Sequence, residues 1–232
     1  MRALMYADWS IIRRTFLRYL IVTIIVMTPV VAMGNADGEF SAGVAVASML
    51  VAMITIYLAI GLFSADEANG WEQFRLTFPT SARQVVRSRY ALTALTTFAT
   101  VILATALGTT VQWAIPLFLG SVAAPRGIGI IALTSLGTGL AALAFLAIEM
   151  PVIFRVGISK ARMTFWVPFA ICMMFSVEPI RKAIMPILDG LEHLAKSVGS
   201  PAPLFVVAAC LIALLYLGSM RLSERIYAAR DF

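Results

Sequence analysis

The longest uncharged run in this chain, Ala91 to Leu119, covers 29 residues. A helix needs roughly 20 apolar residues to cross the hydrocarbon core of a bilayer. Within lipid, a lone segment satisfies its backbone groups only as an α-helix. Ser41 to Phe63 repeats the pattern with 23 uncharged residues, and Gly127 to Ile148 with 22. Leu204 to Met220 is uncharged over 17 residues, and Tyr19 to Met33 is apolar, with Arg18 close enough to its end to snorkel. Met163 to Val177 is the shortest at 15 residues and contains Pro168, with an alternative start near Val156. The expected fold is an all-α membrane protein, a single transmembrane domain over 1–232. Its six transmembrane helices are placed near 19–33, 41–63, 91–119, 127–148, 163–177 and 204–220. Composition agrees, because 61% of residues are hydrophobic and 13% are charged, against roughly 25% charged in a soluble domain.

Charge sets the expected orientation. Segments 1–18, 65–90, 149–162 and 221–232 carry 4, 4, 3 and 3 Lys/Arg, which is 14 of the 18. Cytoplasmic loops hold such an excess, so both termini are expected in the cytoplasm of a multi-pass protein of the cell membrane. The net charge of +6 is then a topology signal, and no nucleic-acid partner is expected. Arg13-Arg14-Thr15-Phe16-Leu17-Arg18 also resembles a twin-arginine export signal. The absence of a small-x-small cleavage site before Gly34 favours arginines that anchor the first span.

The segments between spans carry the remaining information. Leu4, Ile11/Ile12 and Phe16 recur at helical spacing beside Arg13, Arg14 and Arg18, as in a helix lying in the interface. An extension of the first span has the same pattern. In the loop over 65–89, Asp66, Glu67 and Asn69 read as polar starters of a short helix with Trp71, Phe74, Leu76 and Phe78 on its apolar side. Pro79 ends it, and Thr80 or Ser81 caps a second helix that carries Arg83, Arg87 and Arg89 into the third span. The short amphipathic helix suits a groove on a partner; contact with lipid headgroups alone fits its spacing equally. The next basic loop, 149–162, contains Arg155, Lys160 and Arg162, with turns expected at Pro151 and Gly157. Residues 178–203 alternate apolar positions at helical spacing, interrupted by Pro186 and Gly190, and are expected on or in the outer leaflet.

Several chemistries are missing. There is no Gly-Lys pair, hence no phosphate-binding P-loop, and no H-E-x-x-H. His193 is the only histidine, which excludes a multi-histidine metal site, and no metal is expected. Cys172 and Cys210 lie in apolar runs and are expected to be buried, inert thiols. The uncharged runs hold no Asp, Glu, Lys, Arg or His, whereas coupled transporters usually use such groups. The third span carries hydroxyls instead. Thr93, Thr97, Thr100 and Gln112 are candidates for lining a cavity, against the alternative that threonine hydroxyls bond to their own helix. Gly137 and Gly139 allow close helix packing in the fourth span.

In order and kind, these parts resemble an ABC-2-type permease, the membrane subunit of an ABC exporter. The resemblance rests on Asp66-Glu67, Asn69, Trp71, Leu76-Thr77-Phe78-Pro79, Arg83, Val85-Val86 and Arg89-Tyr90. It extends to Pro151, Gly157, Lys160 and Arg162, and to Ser223, Ile226-Tyr227 and Asp231-Phe232. Gly70 departs from it, standing before Trp71 where the family often has Asn. The resemblance implies an N-terminal interfacial helix, a cytoplasmic coupling helix between spans two and three, and an extracellular interfacial or re-entrant helix between five and six. It implies a second permease copy, identical or related, and separate ABC ATPase subunits that bind the ATP and Mg. No cofactor is then expected in this chain, which is not itself an enzyme. The ATPase-coupling residues would be Asp66, Glu67, Asn69, Trp71, Glu72, Phe74, Arg75, Phe78, Pro79 and Arg83. Of these, Trp71, Phe74 and Phe78 would seat in the ATPase, with Asp66, Glu67, Glu72 and Arg75 forming rim ion pairs. The second loop would contribute Arg155, Gly157, Lys160 and Arg162. Members of such a family export antimicrobial or amphipathic peptides, drugs or lipids from bacterial plasma membranes. A non-transporting membrane scaffold and an intramembrane enzyme are the rival expectations; the second lacks a nucleophile–base pair.

Overall fold

The structure, a computed structural model, describes residues 9, 16–18, 20–23, 25, 42–69, 81–119, 127–161, 186, 190 and 202–229. These residues are helical or lie at helix ends, with no strand among them. The elements are α1 (Ala42–Asn69), α2 (Ala82–Leu119), α3 (Ile128–Val156), the single turn α4 (Ile158–Ala161) and α5 (Ala202–Ala228). Four helices among the described residues are long and apolar enough to cross a bilayer, as a multi-pass membrane protein requires. They cover the second, third, fourth and sixth expected spans. Of the first expected span only 20–23 and 25 are described, and these are helical. The fifth, at 163–177, lies outside the described residues. So do nearly all of the N-terminal interfacial segment and of 178–203, where residues 186, 190, 202 and 203 alone are described.

Every long helix outruns its uncharged core. At about 1.5 Å per residue the four range from about 40 to about 57 Å, against about 30 Å of hydrocarbon. Helix α1 continues past Phe63 to Asn69, so Asp66, Glu67 and Asn69 finish the second span rather than starting a separate helix. Hydrogen bonds within the helix make continuation the simplest way to satisfy the backbone at the membrane edge. Helix α2 starts where the sequence places its cap. The Gln84 amide donates to Ser81 Oγ at 3.3 Å and to the Ser81 carbonyl at 2.9 Å.

The expected turn at Pro151 is also corrected. Helix α3 runs through Pro151 and ends only at Gly157, placing Arg155 on a helix rather than in a loop. Proline lacks the N–H that would bond to the carbonyl four residues earlier, here that of Ala147. Ser219 Oγ of α5 donates to that carbonyl instead, so α3 continues. Gly157 then adopts φ 80° and ψ 165°, a region nearly exclusive to glycine.

Packing follows the small residues. Helix α1 is the most enclosed: Ala47, Leu50, Val51, Ile54, Leu58 and Leu62 are buried against Leu92 and Ala104 of α2 and Ile131 of α3. A Cβ at Gly139 would stand 2.7 Å from Val101 Cγ2, so α2 and α3 approach as closely as the sequence suggests. Helix α5 contacts α2 and α3, yet Val206, Val207, Leu211, Leu214 and Leu217 remain exposed. Cys210, expected to be buried, is exposed on this helix. Exposure of this kind carries no penalty beside lipid, whose tails are as apolar as leucine.

Candidate functional site

The ends of α1, α2, α3 and α5 that carry charge meet at one end of the bundle, and there they lock together. Asp66 on α1 and Arg89 on α2 form an ion pair in which both residues are buried, at 7% and 1% exposure. The guanidinium also lies over the Phe63 ring, 5.3 Å from its centroid. Removing two charges from water is costly, and a pair at close range with further contacts is the arrangement that offsets it. The pair joins residues on either side of segment 70–80.

Glu67, one residue further along α1, is exposed and reaches the second loop. Its Oε2 accepts from the amides of Ile158 and Ser159, each at 3.0 Å, and its carboxylate also accepts from the Ser159 hydroxyl. These are the amides that open α4 after the Gly157 bend. A Cβ at Gly157 would lie 3.8 Å from Glu67 Oε2. The two cytoplasmic loops expected from sequence are therefore joined through a single carboxylate.

A third set of bonds ties in α5. Tyr90 Oη lies 2.7 Å from Ser219 Oγ and 2.8 Å from Ser223 Oγ. Because Ser219 spends its one proton on the Ala147 carbonyl, Tyr90 must donate to Ser219 and Ser223 to Tyr90. The chain of donors runs Ser223 to Tyr90 to Ser219 to Ala147, crossing from α5 to α2 and back through α5 to α3. Tyr216 Oη donates to the Tyr90 carbonyl at 2.9 Å. Around it Phe154 meets Phe63 and Tyr227 edge-on, with ring centroids 5.2 and 5.5 Å apart. Arg87 Nε donates to Glu224 at 2.6 Å, but its side chain is half exposed, so water screens the pair.

The structure thus gathers Asp66, Glu67, Gly157 and the region of Arg83 at one end. Asp66 and Glu67 engage this chain's own groups rather than standing free at a rim. Arg83, Arg155 and Lys160 are exposed. Trp71, Glu72, Phe74, Arg75, Phe78, Pro79 and Arg162 lie outside the described residues, and of Asn69 only the backbone is described. Sequence reasoning missed the roles of Tyr90, Ser219, Ser223 and Glu224. Tyr90, Ser223 and Tyr227 did stand within the motifs of the resemblance, without a role. The Pro151 imino acid inside an apolar run was the available signal that a neighbouring hydroxyl is needed.

The third-span hydroxyls behave as helix-bonded groups. Thr97 and Thr100 donate to the carbonyls of Thr93 and Thr96 at 2.8 and 2.7 Å, and Thr93, Thr97, Thr100 and Gln112 are all buried. None of these four lines either of the two large grooves described. One groove, of about 870 Å³, lies between α2 and α3 and is lined among others by Phe98, Ile102, Thr105, Thr109 and Trp113. The other, of about 860 Å³, lies between α3 and α5 near the charged end. No group of His, Cys, Asp or Glu suited to a metal ion occurs among the described residues.

A family described as ABC-2 family transporter protein matches residues 3–228. No curated protein and no solved structure matches the chain.

Proposed function

Since the chain belongs to the ABC-2 family of transporter proteins, we propose that it is the permease subunit of an exporter powered by separate ATP-binding cassette ATPases. In this reading six spans place both termini in the cytoplasm, and two permease copies, identical or related, pair in the cell membrane. Segment 70–80, with Trp71, Phe74 and Phe78, docks on the ATPase, which binds the ATP and Mg. The cargo is amphipathic or apolar, consistent with the uncharged spans and the apolar grooves.

The observation that carries the proposal is how the ends of segment 70–80 are held. Asp66 and Arg89 tie α1 to α2 across it, and Glu67 ties it to the amides of Ile158 and Ser159. A force applied to that segment passes into α1, α2 and the α3–α4 bend together. Asp66 and Glu67 then transmit motion within the subunit, and the aromatic residues contact the partner.

The test is co-purification with the cognate ATPase and measurement of its ATP turnover. Trp71→Ala with Phe74→Ala is expected to weaken association at least tenfold while the permease stays folded. Undiminished binding would sink the docking assignment. A permease that neither retains an ATPase nor changes its turnover would favour the scaffold alternative.

A further inference from the structure

We propose that the groove between α3 and α5 binds one anionic phospholipid, its phosphate on Arg155 and its acyl chain along the apolar lining. The lining comes from Ile148, Val152 and Val156 on α3 and from Leu215, Leu222 and Ile226 on α5, with Arg155 as its one charged member. Arg155 is exposed and forms no ion pair among the described residues, whereas Arg87 and Arg89 on α2 each hold a carboxylate. An unpaired cation beside exposed apolar side chains asks for a ligand that is anionic at one end and apolar at the other.

The position of the groove along the helices selects a lipid over a soluble anion. It begins at Ala147 and Ile148, the last two residues of the uncharged run, and at Leu215 within the run of α5. Arg155 lies seven residues beyond Ile148, about 10 Å along α3. Its Cβ bond tilts toward the helix N-terminus, back toward the hydrocarbon. The bilayer passes from hydrocarbon through headgroups over about 5–8 Å on each side. The groove therefore straddles the headgroup boundary, with the guanidinium at phosphate depth.

Small residues keep the groove open. Ala147, Gly218 and Ser219 line it too, and a Cβ at Gly218 would meet nothing within 4 Å. The proline that removes a donor from α3 also lines the groove, so an occupant would touch both Pro151 and Ser219, the residue that supplies the missing donor. An acyl chain gains little by leaving bulk lipid for an apolar groove. Selectivity must come from the headgroup, and one basic residue near a bilayer surface favours an anionic over a zwitterionic lipid by about fivefold.

The inference does not depend on the transport proposal, since its test needs no ATPase. The full chain is equilibrated in detergent with equal amounts of phosphatidylglycerol and phosphatidylcholine, and bound lipid is counted by native mass spectrometry. Wild type is expected to retain the anionic lipid about fivefold over the zwitterionic one, Arg155→Lys to keep that preference and Arg155→Gln to abolish it. Arg83→Gln, an exposed cation that does not line the groove, should leave it unchanged. Gly218→Phe should reduce retention of both lipids. Equal loss in Arg83→Gln and Arg155→Gln would overturn the proposal in favour of a diffuse charge effect. Unchanged preference in Arg155→Gln, or displacement of the lipid by free glycerol phosphate, would overturn it as well.

Discussion

Replacing Arg89 with methionine is expected to destabilise the protein by about 3–5 kcal/mol. Arg89 is 1% exposed and its partner Asp66 7%, so the substitution leaves a carboxylate enclosed without its cation. The contact with the Phe63 ring at 5.3 Å is lost too, although methionine restores apolar contact there. For a chain of this length 1 kcal/mol corresponds to about 2–4 °C in melting temperature, so a fall of about 6–20 °C is expected. Asp66→Leu should be the more damaging single change. A stranded carboxyl can take up a proton, whereas a stranded guanidinium cannot lose one. The double variant Arg89→Met/Asp66→Leu should recover most of the loss, since an apolar pair of similar volume is often as stable as a buried ion pair. The assay is thermal and denaturant unfolding of the four proteins in one detergent, read as a double-mutant cycle. A single Arg89→Met variant within 1 kcal/mol of wild type, or strictly additive losses in the double variant, would refute the argument that this pair is a closed, buried unit.

Three further outcomes are expected from the same unfolding assay. Ser219→Ala should cost about 1–3 kcal/mol by stranding the Ala147 carbonyl, and Pro151→Ala should cancel much of that loss by returning an N–H to the helix; no rescue would mean that Ser219 does not stand in for the missing donor. Gly139→Ala should cost about 1–3 kcal/mol through the contact with Val101, and Val101→Ala in the same chain should relieve it. Gly157→Ala should cost about 1–3 kcal/mol from backbone conformation, with Glu67→Ala adding about 0.5–2 kcal/mol through loss of the α4 amide acceptor; a neutral Gly157→Ala would show that the bend relaxes to negative φ.

The runs 41–63, 91–119, 127–148 and 204–220 were legible because lipid imposes a length and forbids charge, and both conditions are local in sequence. Ser81 as a cap and Gly139 as a close-contact residue were legible for the same reason. The limits of the helices were not. Asp66, Glu67 and Asn69 carry polar side chains that suit a helix start as well as its end, and the choice depends on Arg89 and on the amides of Ile158 and Ser159. Pro151 reads as a turn until Ser219, 68 residues away, supplies the donor it lacks. The cavity reading of Thr93, Thr97 and Thr100 turned on which face of α2 meets α1 and α3, and periodicity alone does not say.

The sequence by itself determined that this chain lies in a bilayer, where four of its helices run and which ends gather charge. Those properties follow from the solvation of each segment taken alone. Only the tertiary structure decided that Asp66 faces Arg89, that Glu67 holds the α3–α4 bend and that Tyr90 bonds to Ser219, 129 residues away along the chain. Such pairings satisfy buried polar groups whose partners are set by how the helices rotate and approach, and that is a property of the bundle and not of any segment within it.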